Sequence, residues 1–349
     1  MKRFLSILVS LTILLLIYWK IDFVGLVQVL VNCDRLWMAI SLGMVIPLTM
    51  FTAWRLQMLM PSSATNANAI NTNAANTNTA NTNTADTNTA DTNTADITQG
   101  HLGFLAANQL ILAASSLNMV LPSKMGDIAK AYFMRDRGHL TGSLALSLVV
   151  FEKSCDMLSL LLWCVFGLLL YPQKDWLFWV MTVSVLTGLL LGLLLLGSVQ
   201  FAQFFFRLAA SITPRSLGKK IVTLSHSWGE MHDYFWRDRP QLAKITGMSV
   251  FIWFLHLLQI WFFILALNAW APFLASLALS PLAILAGLLP LTFAGVGTRD
   301  AALIAFYQPY FAAPTAAALG VLCTSRYVIP AIAGLPFLQK YLTLTRPKG

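Results

Sequence analysis

Six apolar runs, at residues 4–19, 37–54, 143–171, 176–199, 247–270 and 314–338, approach or exceed the roughly 20 residues that a helix needs to cross a bilayer. Within hydrocarbon every backbone N–H and C=O must find its partner inside the segment, so runs of this kind are helical. The chain therefore reads as an all-α integral membrane protein with about six full transmembrane helices. Its charged share, 11%, lies far below the roughly 25% of soluble domains. Lys2 and Arg3 precede the first run as they would in a signal peptide, yet no small-residue cleavage site follows, and an uncleaved first span is expected.

Two further apolar stretches, 101–132 and 273–310, are broken in mid-course. Pro122 and Gly126 interrupt the first within LPSKMGD, and Pro290, Gly295 and Gly297 interrupt the second within LPLTFAGVGTRD. Proline lacks an N–H and glycine accepts unusual dihedrals, so both stretches predict re-entrant or broken helical hairpins whose freed backbone groups face protein or a wet cavity. Residues 62–99 differ from everything else. The pentad (N/D)TNTA repeats over 76–95 with almost no apolar side chain, which predicts a disordered cytosolic spacer.

Basic residues set the orientation. With both broken regions re-entrant and the N-terminus inside, 17 Lys and Arg fall on the cytosolic side, Arg55 and the seven of a loop over 207–244 among them, against Lys20, Arg35 and Lys174 outside. Both termini are then cytoplasmic in a cell (inner or plasma) membrane. The chain divides into the first two spans (1–61), the insertion (62–99), the first hairpin with the third span (100–171) and a second half (172–349). Each half reads span, span, hairpin, span, and three crossings per half make the repeat inverted, the plan of many secondary transporters.

Ionisable residues inside such segments mark binding sites or pathways. In and after the first break stand Asn118, Lys124, Asp127 and Lys130, where the lysines and a new helix start suit a phosphate; an ordinary cytosolic loop is the alternative. Glu152 and Asp156 are four apart on one helix face with Lys153 about 100° round, either lining a path or forming a membrane-edge cluster with the basics near Lys130. Arg299, Asp300 and Arg326 lie in apolar surroundings. The arginines match an anionic partner, or pair as Arg299 with Asp300 and Arg326 with Asp156 to fix packing. Cys33, Cys155, Cys164 and Cys323 have no metal spacing and read as small hydrophobes, and the GxxxG from Gly188 to Gly192 reads as packing.

The net charge of +9 is spread over short inter-span segments, which argues against nucleic acid as partner. No GxxxxGK[ST], DxD or HExxH occurs, and neither cofactor nor metal is expected.

At these residues the chain resembles the flippase-like family represented by the transmembrane domain of bacterial lysylphosphatidylglycerol synthase. The matching positions are Asn118, Leu121, Pro122, Gly126, Asp127 in place of glutamate, Lys130, the acidic pair Glu152 and Asp156, and Pro290, Gly295, Gly297, Arg299 and Asp300. The resemblance covers nearly everything but 62–99. It implies a lipid flippase, not an enzyme, moving an anionic lipid, aminoacylated or glycosylated, between leaflets, alone, as a homo-oligomer or beside a lipid-synthesis enzyme. A membrane-embedded transferase and an accessory subunit are the alternatives. In this reading Lys124, Lys130, Arg299 and Arg326 bind phosphate in one polar groove, balanced by Asp127, Glu152, Asp156 and Asp300.

Overall fold

A computed structural model describes residues 22–60, 102–120, 126–136, 142–171, 174–212, 235–288 and 297–343, with isolated positions between 221 and 233. The first predicted span, the 62–99 insertion, Pro122, Lys124, Pro290 and Gly295 lie outside them. The described residues form twelve α-helices and no strand: α1 (Phe23–Val31), α2 (Arg35–Gly43), α3 (Val45–Leu59), α4 (Phe104–Val120), α5 (Gly126–Asp136), α6 (Gly142–Leu170), α7 (Trp176–Gly197), α8 (Val199–Ile212), α9 (Arg239–Ala266), α10 (Phe273–Gly287), α11 (Thr298–Tyr307) and α12 (Ala313–Thr343).

Five segments are long and apolar enough to span a membrane: Arg35–Leu59, in which α2 and α3 join at a turn, Leu144–Leu170, Trp176–Gly197, Arg239–Ala266 and Ala313–Leu338. They coincide with five of the six predicted runs. Aspartates cap three of the starts, Asp34 at α2, Asp175 at α7 and Asp238 at α9, where Pro240 occupies a first-turn position that needs no N–H. Helix α7 leaves Val180, Val183, Leu186 and Leu190 exposed, as a helix facing lipid does, and Trp176 and Trp179 stand at its start, where interfacial aromatics belong.

One boundary is corrected. The basic segment expected as a loop over 207–244 is in part helical: Arg207 rides on α8, while Arg239 and Lys244 belong to the first turns of α9. The reason is local chemistry, since 199–212 carries apolar and polar residues at helical spacing and Asp238 with Pro240 starts α9 early.

Both broken regions are helical hairpins. Arms α4 and α10, 17 and 15 residues long, reach only about 26 and 23 Å at 1.5 Å per residue. The returning arms α5 and α11 pack back against them. Gly126 opens α5 so close to α4 that a Cβ would strike the carbonyl oxygen of Ala114 and the backbone nitrogen of Asn118. Gly297 sits at φ 103°, a region side chains avoid, and opens α11.

The packing repeats between halves. Span α3 lies on α4 as α9 lies on α10, and α5 lies on α6 as α11 lies on α12. Each hairpin also docks on the last span of the other half, α4 on α12 and α10 on α6. A glycine permits each crossing: a Cβ on Gly167 of α6 would meet the Ala278 carbonyl of α10, and one on Gly334 of α12 the Leu112 carbonyl of α4. Gly188 and Gly192 face Leu161 and Leu158, so that motif packs α7 on α6.

Candidate functional site

Two polar clusters form where the second arm of each hairpin meets the last span of its own half. In the first, α5 supplies Asp127 and Lys130, α6 supplies Glu152, Lys153 and Asp156, and α3 supplies Arg55. Arg55 Nη2 donates to Glu152 Oε1 at 3.0 Å and to Asp156 Oδ2 at 3.3 Å, and Nη1 donates to Asp156 Oδ1 and, at 3.0 Å, to Ser249 Oγ on α9. Lys130 Nζ donates to the other oxygen of Glu152. Lys153 Nζ bridges Asp127 Oδ2 at 3.1 Å and Asp156 Oδ2 at 3.6 Å. Asn118 Nδ2 reaches Asp127 Oδ1 at 3.4 Å.

Burial grades across this cluster. Arg55, Lys130 and Glu152 are 1–2% exposed, whereas the side chains of Asp127 and Asp156 are partly open and that of Lys153 is 44% exposed. Three cations face three carboxylates. The group is thus internally neutral, with each buried charge held by a charge-assisted hydrogen bond, the condition under which buried ions are tolerated.

Arg55 is the cluster residue that the sequence reading does not single out. As a topogenic cytosolic arginine it would be solvated, but α3 continues past it through Leu56 and Leu59, both fully buried, and this draws the guanidinium inside. The apolar residues after position 55 were the signal. Ser249 carried none, since a serine in an apolar span ordinarily bonds only its own helix, as it also does here toward Ile245.

The second cluster joins α11 to α12. Arg299 Nε and Nη2 donate to Asp300 Oδ1 at 3.0 and 2.7 Å, and Nη2 also reaches the Gly320 carbonyl at 2.8 Å and Thr324 Oγ1 at 2.7 Å. Asp300 Oδ2 accepts from the Gly297 N–H at 3.2 Å, tying the carboxylate to the turn. Gly320 lets α12 approach, because a Cβ there would lie 2.7 Å from Asp300 Oδ1. Arg326 is 5% exposed; its Nη2 donates to Tyr327 Oη at 2.8 Å and its guanidinium carbon lies 4.9 Å from the centre of that ring.

Of the pairings left open by the sequence, Lys130 with Glu152 and Arg299 with Asp300 are present, and Arg326 with Asp156 is not. Fifteen residues past Glu152, Gly167 binds α6 to the other half, whereas Arg326 sits on α12, packed on α4 and α11, so the two side chains belong to different clusters. The single groove expected from the sequence resolves into two clusters, with no hydrogen bond or ion pair between them among the described residues. Cys155, Cys164 and Cys323 are buried free thiols, as expected of small hydrophobes in apolar segments.

The family model of the lysylphosphatidylglycerol synthase transmembrane region matches residues 3–334. The chain belongs to this family. Membership in the lysylphosphatidylglycerol synthase transmembrane-region family fits a multi-pass helical membrane protein that acts on lipids, and the match takes in both hairpins and both clusters. No curated protein and no solved structure matches the chain.

Proposed function

We propose that the protein is a flippase-like translocase of the cell membrane, moving an anionic lipid between leaflets without altering it covalently, with both termini in the cytoplasm. The observation that carries this reading is the placement of ionised side chains deep in the last span of each half, beside hairpins that repeat between halves. Asp156 is 12 residues from Leu144 and 14 from Leu170 within its span, and Arg326 is 13 from Ala313 and 12 from Leu338. A charge near the centre of a span is expensive unless protein or water surrounds it, and so marks a route for polar cargo. A headgroup crosses a bilayer slowly because its phosphate must leave water, and a polar group held mid-span beside the hairpins replaces part of that hydration. Inverted halves exchanging hairpins supply two related packings, the basis of alternating access.

Purified protein in liposomes tests the reading. It should speed leaflet exchange of a labelled anionic or aminoacylated phospholipid without ATP, and mass spectrometry should recover the lipid unchanged. A modified lipid formed at the rate of apparent exchange would defeat this and favour a membrane-embedded transferase.

A further inference from the structure

Four cations are buried among the described residues: Arg55, Lys130, Arg299 and Arg326. The first three each contact a carboxylate, Arg55 and Lys130 through Glu152 and Arg299 through Asp300. Among the described residues Arg326 contacts none. Its Nη2 has the Tyr327 hydroxyl, but Nε and Nη1 are buried without an acceptor there. A guanidinium carries five N–H donors, so the one on Nε and the two on Nη1 stand unused, and this side chain does not shed its charge.

The surroundings of Arg326 hold it in place without neutralising it. The Tyr327 hydroxyl fixes one end and the tyrosine ring lies against the cation. Pro330, four residues on, supplies no N–H to the Arg326 carbonyl, so the backbone there also lacks its ordinary helical donor. A permanent charge and three unused donors thus lie halfway along the span Ala313–Leu338. Asp300, the carboxylate of this cluster, is already committed to Arg299 and to the Gly297 N–H.

We propose that Arg326 is the anion-recognition point of the protein and takes a phosphate oxyanion through Nε and Nη1, while the Arg55–Lys130–Glu152 cluster is a neutral lock that binds no substrate. The inference rests on the lipid-translocation reading for the identity of the anion as a phosphate. It withdraws Lys130 and Arg299 from phosphate binding, because their carboxylate partners already neutralise them. A phosphodiester that reaches the guanidinium satisfies its three unused donors.

The test reads binding apart from transport. Detergent-solubilised full-length protein is titrated with dioctanoyl phosphatidylglycerol, with inorganic phosphate, and with chloride at matched ionic strength, following the thermal midpoint. The midpoint of the wild type should rise with a phosphate ligand and not with chloride. A rise with phosphatidylglycerol alone assigns the anion to a lipid headgroup; a rise with inorganic phosphate as well assigns it to a site open to water, and either supports the inference. The rise should disappear in Arg326→Met, and apparent affinity should fall at least about tenfold in Arg326→Lys, which keeps a charge but loses the planar fork. Without ligand, Arg326→Met should melt at or above the wild-type midpoint, because it removes a charge that nothing balances. No rise in the wild type, a rise that survives in Arg326→Met, or a large fall in the ligand-free midpoint of Arg326→Met would overturn the proposal. Anion binding through Arg326 without lipid exchange in liposomes would instead overturn the transport reading and leave this one standing.

Discussion

Replacing Glu152 by Gln preserves the size of the side chain and removes the charge that two buried cations face. Arg55 retains Asp156, to which it donates from both terminal nitrogens, but Lys130, 2% exposed, is left with no carboxylate in contact. Breaking a buried pair by removing one partner costs about 3–5 kcal/mol, because it leaves an uncompensated charge. Lys130→Met alone is milder, at about 1.5–3 kcal/mol for one lost charge-assisted hydrogen bond, since Glu152 still holds Arg55. The double variant Glu152→Gln/Lys130→Met contains no orphaned cation, so it should be no less stable than Glu152→Gln. The coupling between the two sites should therefore approach about 2 kcal/mol, within the range for residues in one network. Reversible unfolding in mixed micelles at increasing denaturing-detergent fraction measures all four proteins. If the two single losses add to within about 0.5 kcal/mol, the sites are independent and the neutral-lock argument fails.

A cysteine replacing Lys219 on a cysteine-free background should be labelled only from the cytosolic side; labelling from outside would break the inverted repeat. Gly167→Ala and Gly334→Ala should each destabilise by about 1–3 kcal/mol through overpacking against the Ala278 and Leu112 carbonyls, and by similar amounts, as thermal midpoints in detergent would show. Gly297→Ala should destabilise by about 1 kcal/mol or more, since its φ of 103° is strained for a side chain; unchanged stability would mean that the turn relaxes freely.

Apolar run length alone located five spans to within a few residues, apart from the early start of α9, because a bilayer demands continuous apolar sequence and tolerates little else. The hairpins were legible from Pro and Gly, and Glu152, Asp156, Arg299 and Asp300 from the cost of charge in such surroundings. Arg55 was not, because position along the chain says that an arginine is near a helix end but not whether the last turn is wet. Nor was the isolation of Arg326. Arg299 has an acid beside it in sequence, Asp300, whereas the acid offered to Arg326 was the distant Asp156, and only the fold decides that this second pair does not form.

The halves are alike in scaffold and unlike in charge, and that contrast separates support from recognition. Equivalent glycines admit equivalent crossings, α10 over Gly167 and α4 over Gly334, so the exchange of hairpins is a property of the repeat. The polar residues do not follow the repeat. Among the described residues of the first half every buried cation has a carboxylate, and the tie from Arg55 on α3 through Ser249 on α9 joins the two halves. In the second half the same junction of returning arm and last span carries one balanced pair and one surplus arginine. A two-fold scaffold whose two ends were both neutral would give a charged cargo no preferred place to rest. Under the proposal, the surplus positive charge of Arg326, halfway along its span, gives an anion one such place, and the unliganded state is poorer in favourable interactions than the liganded one. Under the proposed translocase reading, cargo occupancy would shift the balance between packings of the hairpins by the difference in how well each presents Arg326, the form of coupling that lipid movement without ATP would require.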